Sequence, residues 1–291
     1  PRVPPGLKID PDDTVVVTRN LKKAATFFGA ALVGVFRLDR RWVYSSVYPK
    51  REQKSMPNAL SEEYQYAVAL AIEMDYAAIG CSPASPSSAA TGLGYSKMAF
   101  IAGLLAHYIR GLGYNAIACG NDTACSIPIA IDAGLGELAR NGLLITPAFG
   151  PRVRLAKVLT DLPLIADKPV EFGVWDFCMM CEKCAKKCPS QSIMYGKPTE
   201  KPNNISNREG VLRWPINAET CLGFWAANGT DCSNCIRTCP FNKPKGRLHD
   251  SVRWGLKNLS FLNPLFLWGD DLLGYGRRGK ADKFWMEKHH V

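Results

Sequence analysis

Histidine is scarce in this chain of 291 residues: His107, His249, His289 and His290 are all it has. They are scattered or terminal, which argues against a histidine-held transition metal. His107 falls in a helical stretch and reads as a satisfied core residue rather than a ligand. No D-x-H-x-x-G appears, so no histidine is placed as a lower ligand of a corrinoid cobalt. No G-x-G-x-x-G opens a helix after a strand, and a dinucleotide site is unsupported. There is no P-loop, and no C-x-x-C-H for haem attachment. No stretch approaches ~18 uninterrupted apolar residues, so no membrane span is expected. No signal peptide is recognisable. The chain opens at Pro1 on "PRVPPGLKIDPDD" without an initiator methionine and reads as a processed or truncated product. Basic residues interleaved with aromatics form no run, so nucleic acid is not an expected partner.

Cysteine, in contrast, is plentiful. Eight of the eleven cysteines fall into two runs. Cys178, Cys181, Cys184 and Cys188 precede Pro189; Cys221, Cys232, Cys235 and Cys239 precede Pro240. The C-x2-C-x2-C-x3-C-P spacing is that of bacterial ferredoxins, in which the fourth cysteine ligates the other cluster. One [4Fe–4S] cluster is therefore assigned to Cys178, Cys181, Cys184 and Cys239. The second is assigned to Cys188, Cys221, Cys232 and Cys235. Structural zinc usually takes two C-x2-C pairs, and disulfide scaffolds are short secreted chains; neither fits. Cys81, Cys119 and Cys125 lie outside the pattern and read as buried thiols.

At 47% hydrophobic and 21% charged, the chain is globular, with one large core or two smaller ones. The formal charge of +10 is partly offset by the clusters, each carrying about −2 when oxidised. Lys183, Lys186 and Lys187 in the first run, and Lys243, Lys245 and Arg247 after the second, read as charge compensation and as docking for an acidic electron donor.

Residues 1–13 read as an extended arm, 19–29 as a short helix, and 31–38 and 42–46 as strands. Residues 61–79 have helical periodicity with Ser61 as N-cap. Residues 84–114 form a long helix ending near Gly111–Gly113, and 115–119 a short strand. Residues 129–140 read as helical, and 152–164 largely as a strand. The pattern is α+β. It divides into a core at 1–172, a ferredoxin-like bis-[4Fe–4S] module at 173–242, and a segment at 243–291 that packs back on the core.

Two clusters are a one-electron wire, and further residues suggest what it feeds. "TGLGYSKMAF" (91–100), the block from Asn121 to Leu164, "FCMMCEKCAKKCPSQSI" (177–193), "DCSNCIRTCPFNKP" (231–244) and "DDLLGYG" (270–276) resemble the catalytic subunit of corrinoid-dependent reductive dehalogenases. The resemblance implies a nitroreductase-like core binding a base-off corrinoid, with the bis-[4Fe–4S] module inserted against it. Base-off binding agrees with the missing histidine motif. The implied reaction removes halide from a small organohalide with two electrons and a proton. Implied partners are an electron-donor protein or quinone-linked membrane complex, and a small membrane-anchor subunit; a homodimer is among the open assemblies. The implied location is the outer face of the cytoplasmic membrane. The family's twin-arginine signal and a further N-terminal segment are not in this sequence.

By the same resemblance Tyr95 is the proton donor, Arg154 the cation that stabilises its phenolate, and Asn121 a polar group orienting halide or substrate. Phenol is a weak acid, with a reference pKa near ~10, and a nearby cation favours its ionised form. Thr91 and Trp225 are candidates for the pocket wall, Trp225 beside the second cluster. The residues alone also allow plainer readings. Tyr95 then has its ring in the core, Arg152 and Arg154 are surface charges alternating on a strand, Asn121 shapes a turn, and Trp225 shields a cluster. Two rival functions remain. An epoxyqueuosine-reductase-like enzyme would want a carboxylate as acid, and residues 91–100 offer none. A ferredoxin-like electron-transfer subunit leaves the ~170 residues before the clusters unexplained.

Overall fold

The structure, a computed structural model, describes residues 13–49, 51–244 and 246–286; the expected arm at 1–13 lies outside them except for Asp13. The chain forms two compact units, mixed α+β as expected. The first comprises residues 1–73, 94–135 and 154–170, and the second residues 74–93, 136–153 and 171–291. Residues 243–291, assigned from sequence to the first core, are grouped with the second unit.

The first unit is built on a four-stranded sheet. Its strands are β1 (Leu32–Arg37), β2 (Tyr66–Glu73), β3 (Ala116–Cys119) and β4 (Val153–Thr160), in the order β1-β2-β4-β3. β1 runs antiparallel to β2, and β3 antiparallel to β4. Helix α1 (Thr14–Phe27) starts before its expected position because the Asp13 carboxylate accepts from the Val15 and Val16 N–H groups at 2.8 and 3.2 Å. Leu21 and Ala25 of α1 meet Val68, Leu70 and Ile72 of β2 in one core. Helix α2 (Ser85–Gly111) adds Met98, Ile101, Ala102, Leu105, Ala106 and Ile109 to it. By length and composition alone α2 is long and apolar enough to cross a membrane. The three- and four-residue spacing of its buried positions is that of a helix covering a core.

β2 was expected to be helical. "YAVALAIE" is strand because both faces are covered: Val68, Leu70 and Ile72 alternate with Ala67, Ala69 and Ala71, and all six are buried. A fully buried strand loses the polar alternation that marks a half-exposed one. Ser61 caps no helix; its hydroxyl accepts from Glu63 N–H in a turn. The helix expected at 129–140 is confined to α3 (Ser126–Asp132). Gly134 then takes φ +75°, where a Cβ would lie 2.5 Å from the Lys168 carbonyl oxygen. Of the strand expected at 42–46, only Ser46 is strand, opening the short Ser46–Val47 pair, and Val43 makes a single bridge to Ala124; a 3-10 turn occupies Arg40–Trp42. His107 is exposed on α2 rather than buried. Arg152 is 2% exposed, not a surface charge; it donates to Asn242 Oδ1 at 3.0 Å and to the Met74 carbonyl.

The second unit has short helices and few strands. They include α4 (Val174–Met180), α5 (Lys183–Lys186), α6 (Ala218–Asn228), α7 (Asn234–Arg237), α8 (Arg247–Asn258) and α9 (Asn263–Leu272). Its core gathers Phe177, Trp214, Phe241 and Leu256 around Cys178, Cys181 and Cys239. The apolar surface is spent enclosing cysteines, which is why so little periodicity shows in the sequence.

In the first unit, a Cβ at Gly34 of β1 would lie 2.1 Å from the Ala133 carbonyl oxygen. Gly34→Ala should cost about 1–3 kcal/mol through overpacking, read as earlier thermal unfolding by circular dichroism. An unchanged melting curve would contradict this close approach.

Candidate functional site

The cysteines assort by space, not by run. Cys178, Cys181, Cys184 and Cys239 line one cavity with Arg140, Phe177 and Phe241. Burial pushes the Cys239 thiol well up, and Cys178, Cys184 and Cys181 add to the rise. The other four affect one another in the same way: Cys235 is pushed up to about 12 by burial, with Cys232, Cys221 and Cys188 adding. The Cys178 thiol is likewise pushed up to about 12 by burial. The sets adjoin at Cys184, which also feels Cys235. Burial that disfavours thiolate is offset when a metal holds the sulfur. Among the described residues, no three His, Cys, Asp or Glu side chains converge on a single ion.

The fourth cysteine of each spatial group comes from the opposite run. α4, α5 and α7 carry Cys178, Cys184 and Cys235, and Cys181 follows α4 directly. Trp225 on α6 faces Cys221 beyond strict hydrogen-bond geometry: burial raises that thiol, and the indole N–H acts in the opposite direction.

Sequence reasoning missed Arg140. It is fully buried, and its Nε and Nη2 donate to the Cys178 carbonyl at 3.2 and 2.7 Å. Nε also donates to the Cys181 carbonyl at 3.0 Å, and Nη1 to those of Met194 and Gly196 at 3.0 and 2.9 Å. The guanidinium carbon lies 4.7 Å from the Trp214 ring centroid. One rigid fork thus clamps the ligand loop and places a positive charge beside the first thiol set. The signal was an arginine within the mostly apolar stretch from Leu135 to Ile145. Lysines assigned to compensation serve other partners: Lys183 pairs with Asp270 and Asp271, and Lys243 with Asp270.

The second cluster of expected residues lies in the first unit. Tyr95 sits inside α2 rather than at its entry, because the helix begins at Ser85. Asn121 Nδ2 lies 3.4 Å from the Tyr95 hydroxyl. The Arg154 guanidinium carbon lies 4.8 Å from the Tyr95 ring centroid. The structure therefore brings Tyr95, Asn121 and Arg154 together. Tyr95 is 38% exposed and Phe100 64%, so the ring is not in the core. Thr91, one turn earlier on α2, is 7% exposed.

Lys157 was also missed. It is 1% exposed, and its Nζ donates to the Gly120 carbonyl at 2.6 Å and to Ser126 Oγ at 3.1 Å. It thereby pins the turn that presents Asn121. Burial pushes its pKa down, against the pull of Cys119, Asp122 and Cys125. Ser96 and Ala99 are exposed on α2, and a Cβ at Gly103 would meet nothing within 4 Å. These positions form a strip of small side chains beside Tyr95.

Two outcomes check the cluster site. Cys239→Ala should spoil the cluster held by the first run, leaving about four of eight irons and one paramagnetic signal on reduction. Loss of the second run's cluster instead would refute the crossed ligation. Arg140→Met should lower first-cluster occupancy and destabilise the fold by about 1–3 kcal/mol for unpaired carbonyls, with Arg140→Lys in between. Full iron content in Arg140→Met would remove the clamp.

Residues 177–242 match the family of 4Fe-4S double cluster binding domains. The tetrachloroethene reductive dehalogenase of Sulfurospirillum multivorans is 38% identical over 98% of this chain and 62% of that protein. A solved reductive dehalogenase, whose structure suggests a mechanism for B12-dependent dehalogenation, superposes with a TM-score of 0.84. It is 27% identical over 95% of this chain and 39% of its own. The chain thus spans less than two thirds of either. Epoxyqueuosine reductase from Streptococcus thermophilus, with a TM-score of 0.52 at 17% identity, shares the fold alone.

Proposed function

We propose that this chain, a homologue of reductive dehalogenases along nearly its whole length, is the catalytic part of such an enzyme. In the reaction an organohalide takes up two electrons and a proton and releases halide. The observation that carries this reading is a phenol held between a guanidinium and a carboxamide on an open helix face. A base-off corrinoid, when bound, supplies the strongly reducing cobalt chemistry for the carbon–halogen bond. The strip Ser96, Ala99 and Gly103 suits its flat ring, and residues 1–172 would form its nitroreductase-like core. The two sets of four cysteines hold the clusters that supply electrons one at a time.

Within this reading the chain's own side chains manage the proton and the halide. The Tyr95 hydroxyl holds the proton and gives it to carbon. Arg154, against the ring face, stabilises the phenolate left behind. Asn121 orients substrate or halide through its amide N–H. An epoxyqueuosine-reductase-like activity would want a carboxylate at the acid position. Among the described residues the hydrogen-bond partner of the Tyr95 oxygen is the Asn121 amide.

Anaerobic reconstitution tests the reading. Corrinoid absorption bands beside a broad iron–sulfur shoulder are expected, with halide release from a panel of chloro- and bromo-compounds. Iron uptake without corrinoid uptake would overturn it. Tyr95→Phe should keep both cofactors and lose about 10²–10⁴-fold in turnover, the usual contribution of a placed acid. Turnover at the wild-type rate would remove Tyr95 from that role.

A further inference from the structure

A second cavity in the cysteine-rich unit is lined mostly by positive charge. Lys183 and Lys187 come from the first cysteine run, Arg237 from the second, and Arg277 and Arg278 from the loop after α9; Asp271 is the one acidic residue lining it. Its volume is about 410 Å³. Asp271 is already engaged, 2.7 Å from Lys183 Nζ. That leaves Lys187, Arg277 and Arg278 exposed on the rim.

The cavity is a built feature. Arg237 donates through Nη1 to the Gly276 carbonyl, and this bond ties the loop to α7. Gly276 lies so close that a Cβ there would be 2.9 Å from the Thr238 Cα. Arg237 Nε is buried without a hydrogen-bond partner. Cations held together against their own repulsion favour an anion in the space they enclose.

Compensation of cluster charge is the competing explanation for these residues. Exposed side chains act on buried charge only through screening water, and the buried Arg140 already serves that end for the first thiol set. The rim instead stands on the backbone that carries the ligands: Lys187 precedes Cys188, and Arg237 and Thr238 precede Cys239. An anionic surface docked here would lie over one ligand of each cluster.

We propose that this basic cavity docks the acidic face of a small one-electron carrier protein, the donor that charges the clusters. RNA is the weaker fit. The one aromatic ring lining the cavity, Tyr275, is already covered by Lys243 at 3.9 Å and so is not open for base stacking. The proposal rests on the cluster reading above, and only its donor step is tested below.

The test follows cluster bleaching in the reconstituted full chain by stopped flow, with reduced plant-type ferredoxin as the acidic donor. Wild-type reduction should slow steeply with added salt. Arg278→Glu and Lys187→Glu should each slow it about tenfold or more at low ionic strength, within the range of electrostatic steering. Lys23→Glu, the same charge change on the exposed face of α1, should not. Reduction by dithionite and iron content should be unchanged in every variant, which separates lost docking from lost clusters. Halide release with a chemical reductant reports on the dehalogenase reading independently. Ferredoxin that reduces wild type no faster than Arg278→Glu overturns the proposal. So does transfer RNA that binds the patch tightly while ferredoxin shows no salt dependence.

Discussion

Eight thiols must be delivered to two sets of four, and each set must draw one member from the opposite run. That crossing constrains the whole cysteine-rich unit. Cys239 has to reach back to Cys178, Cys181 and Cys184, and Cys188 forward to Cys221, Cys232 and Cys235. Short helices, rather than long ones, let the chain turn often enough to do this. The apolar side chains that would otherwise make a core, such as Phe177 and Phe241, wall in cysteine sulfur instead. The crossing also brings Cys184 within reach of Cys235, so the two sites adjoin where an electron would pass between them.

Buried cations do the remaining work of placement. Arg140 organises the first ligand loop by donating only to backbone carbonyls. Lys157 holds the turn before α3 through the Gly120 carbonyl, and so sets Asn121 against Tyr95. Each is costly to bury, and each is tolerated because its donors are matched. Removing either would strand oxygen atoms that water cannot reach.

How much of this was legible in the sequence differs between elements. The cysteine spacing was readable because thiolate ligands need fixed local intervals. The long helix α2 and strands β1, β3 and β4 were readable from periodicity and Gly punctuation. β2 was not, since a strand covered on both faces has no polar alternation and Ala-rich sequence favours helix locally. The buried cations were not legible: Arg152 looked like a surface charge, and Arg140 and Lys157 went unnoticed, because burial of a cation depends on acceptors distant in the chain.

The sequence by itself determined the spacing of eight cysteines in two runs, and its resemblance to a family singled out a tyrosine, an asparagine and an arginine as candidates. The cysteine spacing is a local property of the chain. Only the tertiary structure decided that Tyr95 faces outward from α2, that Arg154 stacks on its ring while Arg152, two residues away, is buried elsewhere, and that basic residues from three segments enclose one cavity. Such outcomes depend on which strand face and which loop meet across long stretches of chain, and no local pattern encodes them.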